Sequence, residues 1–170
     1  MKPVSYRGQI FSIDHLAPQV ITCPCTGLDR ELIILVSFAN HCYTRSFDVN
    51  IHAKNDILLY DSPNRARVFC PTRHKLSFLL PKIVTDFPSK RVHQTTSKRN
   101  YVFSARIHDG RVTYNAFFML QRAPKTEAAD LRMTIESAYP EDRIDVSGSV
   151  RFTLLAHHTY VGKSIRFAPR

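Results

Sequence analysis

The chain has 170 residues, of which 44% are hydrophobic and 22% are charged, and it carries a formal net charge of +10. This composition excludes an intrinsically disordered chain and is sufficient for one domain with a packed core. The basic excess favours polyanionic partners, namely nucleic acid, a membrane surface or an acidic protein. Between residues 63 and 101 the only acidic residue is Asp86, so positive charge dominates the middle of the chain.

The first residues do not have the pattern of a secretory signal. Met1 and Lys2 precede a polar stretch rather than an apolar segment, and no apolar run approaches the ~18 residues of a membrane span. We therefore expect a cytoplasmic protein with no membrane partner. The four cysteines are expected to be reduced in that compartment rather than paired in disulfides.

Short segments rich in β-branched and aromatic residues, separated by turn signals, fill the first 70 residues. The apolar run from Glu31 to Phe38 is too short for a typical helix and predicts a buried strand. Residues 39–41 are then expected to form a turn, and the sequence Asp-Ser-Pro-Asn at 61–64 predicts another. Further strands in this part are predicted at residues 9–12, 19–23, 42–47, 57–60 and 67–70.

A helical spacing of apolar residues follows Pro71, with Thr72 as the expected N-cap. The residues that share this spacing are Leu76, Leu79, Leu80 and Ile83. Because Pro81 lies within the pattern, the helix either ends near Leu80 or consists of two short pieces. Residues 89–99 are basic and poor in apolar side chains, so we expect an exposed loop, where functional residues often occur.

Residues 99–140 have the clearest strand pattern of the chain. Aromatic and aliphatic residues alternate with others from Tyr101 to Ile107 and again from Val112 to Leu120. The intervening Asp109-Gly110 is a strong hairpin signal, because a type I′ turn needs positive φ at both central residues. A third alternating run begins at Leu131, and the three runs predict antiparallel strands at the core of a sheet.

The C-terminal part of the chain has an ambiguous pattern. A flexible joint is predicted at residues 147–149, after which a last strand beyond Gly162 and a helix over residues 153–160 both fit. We predict one domain over residues 1–146, with its core sheet at 99–140, and an appendage or last strand over 147–170. The expected fold class is α+β, a strand-rich, bent antiparallel sheet packed with one or two short helices.

Several kinds of functional site have no signature in this sequence. There is no glycine-rich phosphate loop and no Gly-x-Ser-x-Gly elbow among only five glycines. The acidic residues are too scattered to predict a two-metal nuclease. Four of them remain candidates for convergence in the folded chain: Asp14, Asp48, Asp56 and Asp61.

Structural zinc is a further alternative with poor ligand spacing. Cys23-x-Cys25 beside His41-Cys42, or Cys70 followed by His74, supplies the right ligand types without the usual paired pattern. Free cysteines such as these are commonly small core residues. We therefore predict no metal and no cofactor.

Cleavage of RNA without a metal needs few residue types, and this chain has them. A base removes the proton from the ribose 2′-OH, an acid protonates the leaving 5′-oxygen, and cations or hydroxyls stabilise the phosphate. Histidine suits both proton transfers because its pKa lies near neutral pH. His41, at a predicted turn, is the candidate base or acid, although a turn residue satisfied by the backbone is the competing interpretation. Lys98, Arg99 and Arg45 are expected to stabilise the phosphate.

The segment Leu131–Pro140, which reads Leu-Arg-Met-Thr-Ile-Glu-Ser-Ala-Tyr-Pro, follows a long strand and a basic connection. It resembles the final core strand of the barnase–EndoU–colicin–RelE group of small, metal-independent ribonucleases, which are often toxins or mobile-element proteins. The resemblance covers residues 98–140. It implies that Ser137 is a phosphate-contacting hydroxyl and that Tyr139 is a nearby base-stacking or hydroxyl group.

The sequence also departs from that group. Its members usually begin with helices, whereas residues 1–70 here are β-rich, and their basic catalytic residue has no matched counterpart. His41 and Lys98 are therefore nominated on chemistry alone. The Phe-x-Asn-His-Cys-Tyr-Thr segment that begins at Phe38 is similar to proteins carried on bacterial integrative elements, a resemblance that implies no activity.

These observations together predict a small basic cytoplasmic ribonuclease of toxin type. The predicted catalytic residues are His41, Lys98, Ser137 and Tyr139, and the predicted nucleic-acid-binding residues are Arg45, Lys90, Arg91, Arg99 and Arg106. RNA is the expected substrate, and an acidic inhibitor protein, an antitoxin or immunity protein, is the expected protein partner. Two alternatives remain. One is a non-catalytic module that binds RNA or single-stranded DNA by charge and aromatic stacking; the other is a protein-interaction or regulatory domain of a mobile genetic element.

Overall fold

The computed structural model of the chain describes residues 1–25, 27–96, 100–107, 111–165 and 167, and at residues 106 and 107 it describes the backbone alone. The strands in chain order are β1 Val4–Tyr6, β2 Gln9–Phe11, β3 Gln19–Cys23, β4 Leu32–His41, β5 Thr44–Ser46, β6 Ile57–Tyr60, β7 Ala66–Phe69, β8 Arg91–Thr95, β9 Tyr101–Ile107, β10 Val112–Arg122, β11 Leu131–Pro140 and β12 Val146–Arg151. The α-helices are α1 Pro71–Ser77, α2 Leu80–Asp86 and α3 Phe152–Val161, and short 3-10 helices occupy Asp14–Leu16, Lys54–Asp56 and Phe87–Ser89.

A curled seven-stranded sheet organises the fold, with the strand order β12-β8-β9-β10-β11-β4-β3. Strands β9, β10 and β11 are antiparallel neighbours at its centre, which confirms the predicted three-stranded core. Strand β4 runs parallel to β11, and the remaining pairings in this sheet are antiparallel. The α+β fold class is therefore confirmed. The predicted hairpin turn Asp109-Gly110 lies outside the described residues.

Alternation along β10 separates the two faces of this sheet. Tyr114 and Phe118 are fully buried on the face that packs against α1, α2 and α3, where the main apolar cluster forms. Asn115 and Phe117 occupy the alternate positions and lie on the opposite face, which we call the outer face. Since all three helices contribute to the cluster on one side, the outer face is the side on which the sheet can receive a ligand.

One row of residues crosses the outer face from β12 to β4. Each member is the register partner of the next on the neighbouring strand. In strand order the row consists of Ser149, His93, Val102, Phe117, Ser137 and His41. Directly paired residues share a face of the sheet, so the row brings together side chains that are far apart in the sequence.

The first 70 residues are β-rich, as predicted, but one expected turn is wrong. Residues 39–41 continue β4, and the chain turns at Cys42 and Tyr43, where Cys42 N–H and Tyr43 N–H donate to Ala39 and Asn40 carbonyls. His41 is therefore the last residue of a long strand. Strand pairing across the sheet supplied the hydrogen bonds that extended this strand beyond its apolar run.

A second, smaller sheet follows in the order β5-β7-β6. It packs with the β1–β2 hairpin around Val4, Ile13 and Phe69 in a separate apolar cluster. Strand β5 begins three residues after β4 ends, so the small sheet is tied directly to the end of β4.

The predicted helical region forms two short helices, as the internal proline suggested. Pro71 and Pro81 both lie in the first turn of a helix, where a missing N–H removes no helical hydrogen bond. The predicted capping role of Thr72 is wrong, because α1 begins at Pro71 and its N-cap residue, Cys70, makes no side-chain capping bond.

The exposed loop predicted for residues 89–99 is wrong in its central part. Residues Arg91–Thr95 form β8, which pairs with β12 on one side and β9 on the other. Only Val92 and Thr95 of these residues are buried, and the sequence is too polar to predict a strand. The strand forms because neighbouring strands on both sides provide its backbone hydrogen bonds. Lys98 and Arg99 lie outside the described residues.

The C-terminal residues are part of the main core rather than an appendage. Strand β12 pairs with β8 in the seven-stranded sheet, and helix α3 buries Phe152, Leu155 and Ala156 in the main apolar cluster. The helical alternative for residues 153–160 is thus confirmed. The helix ends at Gly162, whose φ of 72° allows the left-handed cap in which Lys163 N–H donates to the His158 carbonyl. The described residues after Gly162 form no strand.

The longest described helix, α3, has ten residues. No described helix has the length and apolarity needed to cross a bilayer.

Candidate functional site

Two of the predicted catalytic residues meet at the junction of β4 and β11. Ser137 and His41 are register partners across this parallel pair, at a point where the register shifts between Ile135 and Ser137. The irregularity lies beyond the last inward-facing pair, Ile135 with Phe38, and both His41 and Ser137 are only partly buried. The sheet therefore places the histidine and the serine at paired backbone positions near the ends of β4 and β11.

Tyr139 extends this group along β11. Its ring stacks on that of Phe117, with centroids 5.1 Å apart and an interplanar angle of 21°. The guanidinium carbon of Arg73, from α1, lies 4.7 Å from the Tyr139 ring centroid. Burial, followed by the charge of Glu141, raises the pKa of Tyr139, so its phenol is protonated and able to donate a hydrogen bond.

Arg73 joins Tyr139 to the end of β4. Its Nη1 donates to the carbonyl oxygens of His41 at 3.0 Å and Thr44 at 3.1 Å. These carbonyls flank the turn between β4 and β5. Arg73 therefore holds the turn that carries His41 against the aromatic pair of β10 and β11.

The side chain of His41 is held by Asp61, which follows β6. His41 Nε2 lies 2.6 Å from Asp61 Oδ2. An ionised carboxylate only accepts hydrogen bonds, so Nε2 carries a proton and donates. In the neutral ring this leaves the lone pair on Nδ1, which is the atom able to accept a proton.

The protonation state of His41 follows from its surroundings. Burial is the largest influence and lowers the pKa of His41, the hydrogen bond to Asp61 raises it, and the nearby charge of Arg67 lowers it again. The balance lies below the ordinary value of 6.5. His41 is therefore a neutral base at neutral pH.

Asp61 remains ionised beside it. Desolvation alone would raise the pKa of Asp61, but hydrogen bonds from His41 and Arg65 and the charge of Arg65 outweigh it and lower the pKa. Arg65 Nε is 3.1 Å from Asp61 Oδ1, and Arg67 Nε is 3.8 Å from Asp61 Oδ2. The Asp61 carboxylate thus orients His41, and two arginines lie beside that carboxylate.

Arg67 is the most buried of these cations, with a side chain that is 5% exposed. Its nitrogens donate to Thr44 Oγ1 at 3.2 Å, Thr44 O at 3.0 Å and Ser46 Oγ at 3.1 Å. Together with Arg65 and Arg73 it gives three guanidinium groups against the single carboxylate of Asp61. This excess suits an anionic ligand such as phosphate.

A cleft of about 440 Å³ opens on the outer face beside this group. Its lining residues are Thr95, Thr96, Asn100, Phe117, Ser137, Tyr139, Glu141, Arg143, Ile144 and Asp145. Ser137 and Tyr139 thus face one space, whereas His41 is not among the residues that line it. A reacting group in this cleft would have to lie at its β4 side to reach His41.

Of the predicted nucleic-acid-binding residues, the structure describes the side chains of Arg45, Lys90 and Arg91, and none of these lines the cleft. Arg45 lies on β5, where its Nη2 is 2.7 Å from His52 Nε2. Lys90 is exposed before β8, and Arg91 donates from Nη2 to Ser149 Oγ at 2.9 Å on β12. Of Arg106 the structure describes only the backbone, which pairs with Thr113, and Lys98 and Arg99 are outside the described residues.

No sequence pattern predicted a role at this site for Asp61, Arg65, Arg67 or Arg73. In the sequence, Asp61 is part of a turn signal and one of four scattered aspartates. Those aspartates do not converge, because each has a separate partner: Asp14 the N-terminal amine, Asp48 Asn50, Asp56 Arg7 and Asp61 His41. No spacing in the sequence connects Asp61 with His41, so only the folded chain identifies the pair.

Cys23, Cys25 and Cys42 are buried in the main apolar cluster, and Cys70 is only partly buried. Cys23 and Cys25 have sulfur atoms 4.0 Å apart, and Cys42 Sγ lies 3.6 Å from the Ile135 carbonyl oxygen on another part of the sheet. Burial raises the pKa of Cys42 to about 12, so this residue is a thiol rather than a nucleophilic thiolate. Within the described parts of the chain no group of three or more His, Cys, Asp or Glu residues lies close enough to hold a metal ion.

The fold and this site define a strand-rich α+β protein with a carboxylate-oriented histidine at the edge of an open sheet face. The chain matches the YjaZ family over residues 3–160 and belongs to that family. It is 24% identical to Protein YjaZ of Escherichia coli (strain K12) over 131 residues, which cover 76% of this chain and 72% of that protein. No solved structure matches the chain.

Proposed function

We propose that this protein is a ribonuclease that acts by acid–base catalysis at the ribose 2′-OH. The observation that carries the proposal is the register of β4 with β11, which sets the neutral, Asp61-oriented His41 beside Ser137. The chemistry needs a base, a hydroxyl and positive charge at one phosphate. The pairing of His41 with Ser137, with Arg73 bonded to the His41 carbonyl, supports their action on one substrate.

In the proposed reaction, Nδ1 of His41 accepts the proton of the 2′-OH. The 2′-oxygen attacks phosphorus as the bond from phosphorus to the 5′-oxygen breaks, and the leaving 5′-oxygen takes a proton from solvent, which gives a 2′,3′-cyclic phosphate and a 5′-hydroxyl end. The His41 imidazolium then returns its proton to solvent. Asp61 stabilises the imidazolium that forms. The Ser137 hydroxyl and the positive charge of Arg65 and Arg73 favour the extra negative charge on the phosphate.

The composition of the whole chain supports an RNA substrate, because a net charge of +10 attracts polyanions. The resemblance of residues 98–140 to the barnase–EndoU–colicin–RelE group supports the same activity and suggests a toxin that acts in the cytoplasm. Lys98 and Arg99 keep the phosphate-stabilising role that their charge suggests. An acidic inhibitor protein remains the proposed partner.

The decisive test is cleavage of a 5′-labelled single-stranded RNA in the presence of EDTA. We expect a 2′,3′-cyclic phosphate product and no cleavage of an RNA that lacks the 2′-OH at the cut site. His41→Gln should reduce the rate by about 10² to 10⁴-fold, because it removes the base. The glutamine amide can still donate a hydrogen bond to Asp61, so the surrounding structure should be kept. Ser137→Ala should slow cleavage less and leave RNA affinity nearly intact.

His157→Gln is the matched control, because His157 lies on α3, which packs against the opposite face of the sheet. Its cleavage rate should equal that of the wild type. Equal rates for His41→Gln and the wild type would rule out His41 as the base. Absence of cleavage by the wild type across the pH range would rule out the ribonuclease.

Non-catalytic binding of RNA or single-stranded DNA is the second candidate. It is favoured by two observations: His41 does not line the cleft, and the Phe117–Tyr139 stack with Arg73 provides aromatic surface beside positive charge. This candidate predicts that RNA affinity falls steeply with salt, that Tyr139→Ala weakens it, and that His41→Gln does not change it.

A further inference from the structure

A second, smaller pocket lies on the outer face next to the cleft. It has a volume of about 210 Å³, and its walls include Ser104 of β9, Thr113 and Asn115 of β10, and Glu141 and Ile144 of the β11–β12 connection. It is smaller than the about 300 to 1,000 Å³ typical of pockets for drug-sized ligands. The pocket therefore suits a single ring system.

Its floor contains buried polar atoms without partners. Asn115 is fully buried, and its Nδ2 donates to the Glu141 carbonyl oxygen at 2.7 Å. Because a carbonyl oxygen only accepts hydrogen bonds, this contact assigns which end of the Asn115 amide is nitrogen and which is oxygen. The other end of the amide, Oδ1, has no hydrogen-bond partner among the described residues, and neither has Thr113 Oγ1. Buried polar atoms are nearly always paired, so these two are available to hydrogen-bond a ligand that enters the pocket.

The pocket adjoins the proposed catalytic group. Asn115 is the register partner of Tyr139 on β11 and of Ser104 on β9. Glu141 and Ile144 line both the pocket and the cleft that contains Ser137. A nucleotide whose phosphate lies at Ser137 would therefore have its base next to Asn115.

We propose that this pocket binds a nucleobase through an exocyclic amino group. The unpaired Asn115 Oδ1 requires a donor, and the hydroxyls of Thr113 and Ser104 can pair with a ring nitrogen or carbonyl. The carboxylate of Asp142, which lines this pocket and not the cleft, disfavours a phosphate here and favours a hydrogen-bond donor. Adenine, cytosine and guanine carry an amino group and uracil does not, so the pocket discriminates against uridine.

The role of this pocket as a base subsite rests on the proposed RNA substrate, but base binding is measurable without cleavage. The assay is NMR titration with nucleosides that carry no phosphate: cytidine, adenosine, guanosine and uridine. Nucleosides with an amino group should saturate a shift of the Asn115 side-chain amide signals. Uridine should bind at least about tenfold more weakly, the factor for one lost hydrogen bond to a buried acceptor.

Thr113→Val is the informative variant because its hydroxyl has no partner among the described residues. It should lower cytidine affinity about tenfold without lowering the melting temperature. Thr134→Val is the matched control, since Thr134 pairs with Ser37 on the same face and does not line the pocket. It should leave cytidine affinity unchanged.

Equal affinity for cytidine and uridine, or full cytidine affinity in Thr113→Val, would overturn the inference. Nucleoside binding by a protein that does not cleave RNA would remove the ribonuclease and leave the base pocket standing. Cleavage of RNA without nucleoside binding or base preference would support the ribonuclease and overturn the base pocket.

Discussion

Replacing Phe152 with alanine tests whether the C-terminal segment completes the core. Phe152 is the first residue of α3 and is fully buried. The centroid of its ring lies 5.3 Å from that of Phe87 and 6.1 Å from that of Phe118, which is on β10 at the centre of the sheet. Removal of a fully buried phenylalanine side chain lowers the free energy of unfolding by about 3 to 5 kcal/mol. That is a large fraction of the about 5 to 15 kcal/mol that stabilises a typical domain.

Urea unfolding followed by circular dichroism measures the change in the free energy of unfolding. Thermal unfolding measures the melting temperature, which should fall by about 6 to 20 °C, at about 2 to 4 °C per kcal/mol for a chain of this size. Val161→Ala, in the last turn of the same helix at a residue that is 39% exposed, is the control and should change the free energy by less than about 1 kcal/mol. Truncation after Arg143, which removes β12 and α3, should abolish cooperative unfolding.

A loss of less than about 1 kcal/mol in Phe152→Ala, or a truncated chain that still unfolds cooperatively, would refute the assignment of this segment to the core. Such a result would restore the boundary at residue 146 that the sequence pattern suggested.

Two further predictions concern charged pairs. His41 should titrate below pH 6.5 by NMR, and Asp61→Asn should move its midpoint lower still, because the carboxylate opposes the lowering by burial and by Arg67. Asp130 accepts two hydrogen bonds from Arg30, at 2.6 and 2.7 Å, and one from the backbone N–H of Ile33. The Arg30 hydrogen bond is the largest influence that lowers the pKa of Asp130, so the carboxylate stabilises the fold above the unfolded value of 3.8 and loses this effect as pH falls through the lowered pKa. Asp130→Asn should therefore unfold more easily than the wild type at pH 7, with a difference that narrows in acid.

The outcomes against these two predictions are equally specific. A His41 midpoint above 6.5, or one that rises in Asp61→Asn, would contradict the geometry of the pair. A stability difference between Asp130→Asn and the wild type that stays constant down to strong acid would show that the charge of Asp130 does not stabilise the fold.

Much of the strand content was predictable because its signals are local. The strand Gln19–Cys23 has the predicted bounds, and the alternation from Tyr101 to Ile107 and from Val112 onward matched two strands of the core sheet. Period-2 alternation and β-branched residues report which side of a strand is buried, whatever lies beside it. The pair of short helices was likewise predictable, since Pro81 limits the backbone at its own position.

Other elements needed the neighbours that the folded chain supplies. Strand β8 has a polar sequence and exists because β9 and β12 pair with it on both sides. Helix α3 was indistinguishable from a strand by pattern, and burial of Phe152 against Phe87 decided between them.

The sequence by itself determined the strand-rich fold class, the basic charge and the residue types of the candidate site. Only the tertiary structure decided which of those residues meet. The pairing of His41 with Ser137 depends on the register of two parallel strands, and the contact of His41 with Asp61 depends on the packing of a turn against a strand end. Register between distant strands depends on contacts across the whole sheet, so local periodicity contains no information about it.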